Sequence, residues 1–290
     1  MKIAGLASNR GRNLRHIADV APGGAELSVV LTNREEAPVL EAAAERRIPT
    51  EVVERDTAES RESHERRVVD RLADYDVDLV CLDGYMRVLT DEFLDATPTT
   101  LNVHPALLPS FPGRNAHEQV IEAGVRTTGC TVHVVTEAVD AGPVVTQEPI
   151  PVYEDDDVDS LTARVRREAE FTAYPRAVRW FATDRVTVER AGDDGAAAPG
   201  EPVGVSVDGD VGGEFPERRF VSPEREGTLR YREKPHQDAA LYVDAGCQEA
   251  RVVGADHPDP RAQEVGDNHH HHAGAVAALL EARPRRIGAV

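Results

Sequence analysis

Lysine, sulfur and long apolar runs are what this sequence has least of. Lys2 and Lys234 are its only lysines, so arginine supplies nearly all of the positive charge. Set against 52 acidic residues, that leaves a formal net charge of −19 over 290 residues. The acid excess extends through the first 190 residues and the remainder alike. Such a surface repels nucleic-acid phosphates and anionic lipid, which argues against nucleic acid or membrane as a partner. The cysteines are Cys81, Cys130 and Cys247. They are odd in number and far apart, without the paired spacing of a disulfide framework or zinc site, so buried free thiols and no metal are expected. No apolar run reaches membrane-spanning length, and the chain moves from Met1 straight into a short apolar run and a glycine turn. A cytoplasmic location is expected.

What is present fits a globular chain, with 40% hydrophobic and 29% charged residues. Acidity with almost no lysine is similar to the composition of proteins from salt-loving organisms, although solubility alone would also account for it. Apolar runs of strand length recur at 3–7, 27–31, 50–53 and 79–82, separated by helix-like segments such as 13–20 and 59–73. This rhythm predicts an α/β fold with a mostly parallel sheet covered by helices on both faces. After residue 100 the strands change character, at 101–104, 130–136 and 144–152, and antiparallel pairing is expected there before a helical stretch over 158–182. The small, acidic run from Ala191 to Gly200 reads as the start of a linker. The expected division is 1–190, a linker over 191–221, and a small segment over 222–290.

Two groups of residues carry chemistry. The first strand runs into Ser8-Asn9-Arg10-Gly11-Arg12-Asn13-Leu14, where a helix N-terminus would direct free backbone N–H groups toward a phosphate, with Gly11 allowing close approach and Arg12 adding charge. A glycine turn of this kind is also an ordinary strand-to-helix connector. In Leu101-Asn102-Val103-His104-Pro105, Asn102 and His104 stand two apart and project from one face of an extended strand, able to meet one carbonyl group. Pro105 and Pro109 place the pair at a strand end. Glu137-Ala138-Val139-Asp140-Ala141-Gly142-Pro143 adds a carboxylate on a tight turn. Asn102 and a protonated His104 can donate to an oxyanion, and Asp140 can stabilise the charged histidine or accept an amine proton through water. That set suits acyl transfer to an amine with no side-chain nucleophile. Separately, His104 also reads as a hydrogen-bonded strand-end histidine and Asp140 as a turn former.

Together these segments resemble the phosphoribosylglycinamide formyltransferase (GAR transformylase) family over residues 1–185. Asn102-Val103-His104-Pro105-Ala106-Leu107-Leu108-Pro109 is similar to the family's Asn-x-His-Pro-Ser/Ala-Leu-Leu-Pro signature, and Asp140-Ala141-Gly142-Pro143 to its Asp-x-Gly-Pro loop. The resemblance implies a Rossmann-like formyltransferase fold and 10-formyltetrahydrofolate as co-substrate, with no metal. It makes His104 the proton donor, Asn102 the group holding the formyl oxygen and Asp140 the residue that keeps His104 charged. Arg61, Met86, Arg87, Val88, Leu89 and Asn102 would contact the folate. Gly11, Arg12 and Asn13 would bind the phosphate of phosphoribosylglycinamide, with Glu170 on the ribose side. Met86 and Leu89 also read as core residues, and His133, which matches a family histidine near the site, as a strand histidine facing the core. Two departures stand out: Arg12 replaces the usual serine, and Asn115 the usual histidine beside His117.

Relatives of the family are less similar. Methionyl-tRNA formyltransferases carry a basic C-terminal barrel, unlike this acidic tail, and formyltetrahydrofolate deformylases carry a regulatory domain before the fold, whereas here the first strand begins at Lys2. Hydrolysis of formyltetrahydrofolate and noncatalytic folate or nucleotide binding are the alternative functions. Leu229 to Tyr242 resembles the opening motif of the AICAR transformylase domain, with Arg232 and Lys234 departing from it. The Lys-His pair that family uses is missing, which implies an incomplete remnant without activity of its own. Other purine-pathway enzymes are then candidate partners. His269 to His272 form a histidine run able to bind divalent metal adventitiously, but adjacent histidines on one helix or strand point in different directions and would not all reach one ion, so a dedicated metal site is not expected.

Overall fold

The computed structural model describes residues 1–191 and 200–208. Its centre is a seven-stranded sheet of β1 (Lys2–Leu6), β2 (Glu26–Thr32), β3 (Thr50–Val52), β4 (Leu79–Leu82), β5 (Thr100–His104), β6 (Thr127–Val134) and β7 (Val144–Pro151). The strand order is β3-β2-β1-β4-β5-β6-β7. The first five strands pair in parallel, and β6 and β7 join antiparallel. The expected fold class is the observed one. Because β1 is followed on one side by β2 and on the other by β4, the order reverses between β1 and β4. Their carboxyl ends frame the crevice where open α/β sheets bind ligands.

The apolar strands are near continuous because both sheet faces are covered. Alternation sends Ile3 to one core, with Leu14, Ile17, Val120, Leu161 and Tyr174, and Ala4 and Leu6 to the other, with Val29, Leu31, Val68, Leu72 and Phe93. The first face carries α1 (Arg12–Val20) and α2 (Val39–Glu45); α3 (Arg61–Ala73) and α4 (Asp91–Ala96) cover the second. The Ser60 hydroxyl accepts from Ser63 N–H and starts α3, and Thr90 does the same for α4 through Phe93 N–H. After α5 (Ala116–Ala123) and the β6–β7 hairpin, one helical stretch runs from α6 (Val158–Arg164) through a π-helical turn (Val165–Glu170) into α7 (Phe171–Ala182). Asp157 opens it with a capping box to Ser160.

Pro175 lies inside α7 and has no N–H for the Phe171 carbonyl. His16 of α1 fills that vacancy, its Nε2 3.1 Å from the Phe171 oxygen and its ring stacked on Phe171 at 4.4 Å. The exchange ties α7 to α1 beside the β1 turn. The Tyr174 hydroxyl lies 2.9 Å from the Leu82 carbonyl and 3.1 Å from that of Leu101, at the ends of β4 and β5.

The expected boundary at 190 is corrected. β8 (Val186–Arg190) pairs antiparallel with β9 (Pro202–Val207), and Val186, Val188, Val205 and Val207 pack against the main core. The compact unit that begins at Met1 therefore continues past the supposed start of the linker and includes β9. The AICAR transformylase-like segment 222–290, Cys247 and the histidine run lie outside the described residues. Cys81 and Cys130 are buried thiols, and burial pushes both up, Cys81 to about 12.

Candidate active site

β5 brings Asn102 and His104 to the crevice as the two-residue spacing predicts. His104 is 3% exposed. Its Nδ1 lies 3.2 Å from Asp140 Oδ2, and its Nε2 lies 2.8 Å from the Phe111 carbonyl oxygen. Both ring nitrogens thus face acceptors, an arrangement satisfied in full only by the doubly protonated ring. The segment after His104 is stitched in place by Thr131, which accepts from Leu108 N–H at 2.9 Å and donates to the Ala106 carbonyl at 2.7 Å, and by Gln147, which donates to the Leu108 carbonyl at 2.8 Å. These bonds fold the loop back so that Phe111 can reach His104.

Asp140 has a left-handed backbone (φ 53°). A Cβ on Gly142 would stand 1.9 Å from the Val134 carbonyl oxygen, so only glycine lets this loop lie against β6. Gly113 N–H donates to Asp140 Oδ2 at 2.8 Å, and His133 Nε2 is 3.6 Å from Oδ1. Burial alone would push this carboxyl up. The hydrogen bonds from His104 and Gly113 and the charge of His104 outweigh it and hold Asp140 well below the usual carboxylate range. His133 is buried as a core residue would be, yet it also touches the site: its Nδ1 donates to the Val134 carbonyl at 3.0 Å, which leaves Nε2 to accept from Asn102 Nδ2 at 3.2 Å. The second Nδ2 hydrogen of Asn102 remains for a ligand.

Gly11, Arg12, Asn13 and Glu170 also come together. Gly11 caps α1 with φ 52°, and a Cβ there would meet Val39 at 2.4 Å. Asn13 Nδ2 donates to Glu170 Oε2 at 2.8 Å and to Asp83 Oδ1 at 3.1 Å. One expectation fails here. The α1 amides of Asn13 and Leu14 are not free, because Asp83 Oδ2 accepts from them at 2.7 and 3.4 Å. Asp83, in Leu82-Asp83-Gly84, reads in sequence as a turn residue; its position at the end of β4, next to β1, was the available signal. Burial pushes Glu170 up to about 7, with the Asp83 charge adding to the shift and the Asn13 bond opposing it. Burial likewise raises Asp83 against its amide partners.

Arg61, Met86, Arg87, Val88 and Leu89 line one cavity of about 170 Å³, with Arg55, His64, Glu65 and Tyr85. Asn102 is not among its lining residues. Leu89 is buried in the second core, whereas Met86 and Val88 are 61% and 45% exposed, so core packing accounts for Leu89 only. Asn115 stands at the N-terminus of α5 with φ 60°, a conformation that asparagine tolerates well. Burial first, then the charges of Arg166 and His104, lowers His117 to about 4. Among the described residues no helix is long and apolar enough to cross a membrane, and no three metal-ligating side chains converge.

Residues 1–178 match the family described as formyl transferase. The chain is 36% identical to the phosphoribosylglycinamide formyltransferase of Haemophilus influenzae, over 68% of this chain and 96% of that one. It is 41% identical to the trifunctional purine biosynthetic protein adenosine-3 of Gallus gallus over 66% of this chain, but spans only 19% of that much longer relative. The crystal structure of glycinamide ribonucleotide transformylase 1 from Symbiobacterium toebii superposes with a TM-score of 0.64 at 38% identity, covering 71% of this chain and 93% of that one.

Proposed function

The chain belongs to the formyl transferase family, and from that premise we propose that it transfers the formyl group of 10-formyltetrahydrofolate to the amine of phosphoribosylglycinamide, making formylglycinamide ribonucleotide for purine biosynthesis. The observation that carries this reading is His104 held between the Asp140 carboxylate and the Phe111 carbonyl, two strand positions from the Asn102 amide and on the same face. The amine lone pair forms the new bond to the formyl carbon while the carbonyl π pair moves to oxygen. Asn102 Nδ2–H and His104 Nε2–H donate to that oxygen, the latter exchanging its bond to Phe111 for one to substrate. Asp140 Oδ1 accepts the ammonium proton through water. The oxyanion pair then re-forms the carbonyl as the bond from the formyl carbon to folate N10 breaks with its electron pair, and N10 takes up the proton released from the amine.

The cavity lined by Arg61 and Arg87 combines guanidinium groups with Tyr85, Met86 and Leu89. That chemistry suits part of an aromatic dicarboxylate such as the folate co-substrate. Gly11, Arg12, Asn13 and Glu170 are then the phosphoribosyl end. We place the protein in the cytoplasm, working in concentrated salt, with other purine enzymes as candidate partners. The test is incubation with 10-formyltetrahydrofolate with and without phosphoribosylglycinamide, following loss of the formyl group. Amine-dependent turnover is expected. Amine-independent turnover would mean a hydrolase, and no turnover a binding protein.

A further inference from the structure

α3 carries a carboxylate where its packing pattern calls for an apolar side chain. Val68 and Leu72 of its buried face enter the second core, and Glu65, one turn before Val68 and 4% exposed, lies on that face beside His64. A buried polar group is costly unless it is paired. His64 is paired, its Nε2 2.8 Å from the Val53 carbonyl oxygen. Glu65 is paired on one side only, where Oε2 accepts from both the N–H (3.2 Å) and the hydroxyl of Thr90. Its Oε1 is buried without a hydrogen-bond partner, although Arg55, Arg61 and Arg87 line the same cavity.

Thr90 is the far anchor of that cavity's wall. The segment from Tyr85 to Leu89, which forms the wall, belongs to no helix or strand. Near its start, Met86 N–H donates to the Ser8 hydroxyl at 2.9 Å and Arg87 N–H to the Tyr85 carbonyl at 2.8 Å. The Val88 and Leu89 N–H groups make no hydrogen bond with any described residue. Beyond the buried side chain of Leu89, the far end is therefore fixed at Thr90, whose hydroxyl also accepts from Phe93 N–H at 3.4 Å and opens α4. Glu65 thus joins α3, which carries Arg61 four residues earlier, to the wall that carries Arg87.

We propose that Glu65 is a positioning residue for the folate co-substrate: through Thr90 it holds the wall from Met86 to Leu89 at the spacing the ligand needs. What the wall requires from position 65 is an acceptor of the right length, and glutamine supplies one. This inference rests on the folate reading of the cavity. Equilibrium dialysis of tetrahydrofolate and of phosphoribosylglycinamide tests it without turnover. Breaking bonds to a charged acceptor weakens tetrahydrofolate binding about 10-fold in Glu65→Ala and in Thr90→Val. Glu65→Gln and Thr90→Ser, which keep the acceptor and the hydroxyl, stay within about threefold of wild type. The Glu65→Ala/Thr90→Val double variant costs little more than the worse single one, because both break one contact. Phosphoribosylglycinamide binding stays within about twofold throughout, since a wall displaced at one cavity leaves a separate subsite intact. Unchanged tetrahydrofolate binding in Thr90→Val, an equal loss for both ligands, or full additivity overturns the proposal; Thr90→Val decides it alone if Glu65→Ala does not fold. A wild type that fails to bind tetrahydrofolate overturns the folate reading and Glu65 with it, whereas wild type and variants that bind it equally overturn Glu65 only.

Discussion

The two ends of the crevice are built on opposite electrostatic plans. At the β5 end, His104, Asp140, Phe111, Gly113, Asn102 and His133 satisfy one another, and the one carboxylate is stabilised as an anion. At the α1 end, two carboxylates share one asparagine amide, both are pushed toward protonation, and Arg12 and Arg166 lack a full partner among the described residues. A centre that stabilises developing charge works best when its dipoles are fixed beforehand, because no reorganisation is then needed during reaction. A subsite for a charged group gains affinity when its own charges are incompletely compensated until the ligand arrives. Under the proposed function, chemistry belongs to the first end and recognition to the second.

The sharpest way to break that division is at Asp140. Asp140→Asn and His104→Ala are each expected to lower kcat about 10³-fold. The double variant should cost little more than the worse single one, since residues acting as one unit are not additive. Measured kcat values that multiply fully would separate their roles, and an Asp140→Asn enzyme with wild-type rate and acidic limb would remove Asp140 from the centre.

Both ends rest on the same sheet, and β9 helps support it. A chain ending at 208 should keep transfer activity, whereas one ending at 190 uncovers Val186 and Val188 and discards Val205 and Val207. Losing two half-buried valines costs about 2 kcal/mol, a drop of roughly 4–8 °C in melting temperature for a unit of this size. Equal melting temperatures for the two chains would return the boundary to 190.

Glu170 tests the α1 end through pH. Its folded value of about 7 lies above the ordinary 4.5, so the native state holds a proton that the unfolded state has already lost. Its contribution to stability therefore falls as pH rises from 4.5 to 7 and stays low above that, by about 1–3 kcal/mol. Glu170→Gln should lessen this decline, which denaturant unfolding of both proteins at pH 5 and pH 8 measures. An unchanged pH dependence would show Glu170 ionised at little cost.

The smallest effect is expected at Arg12. Arg12→Ser should raise the KM for phosphoribosylglycinamide about 3- to 10-fold, with little change in that for folate, as for one partly solvated charge contact. The difference should shrink as salt screens the contact. An equal change for both substrates would take Arg12 off the phosphate.

Local pattern alone determined a good deal of this protein. The parallel sheet follows from apolar runs at strand spacing, Asn102 and His104 share a face because strand side chains alternate, and the Gly142 turn that presents Asp140 is written next to it. Composition fixed the acidic surface. Only the tertiary structure decided which carboxylate reaches the α1 amides, because Asp83 and Asn13 are 70 residues apart in sequence and meet only where β1 and β4 are neighbours. The same holds for Glu170 on the Asn13 amide, and for His16 on the carbonyl freed by Pro175. β9 was hidden because its half-buried valines alternate with small polar residues after a linker-like run, and only pairing with β8 gives it a face to bury. Periodicity reports which face of an element is apolar; it carries no record of which distant charges the fold will bring into contact, and those contacts distinguish the proposed oxyanion site from the proposed phosphate site.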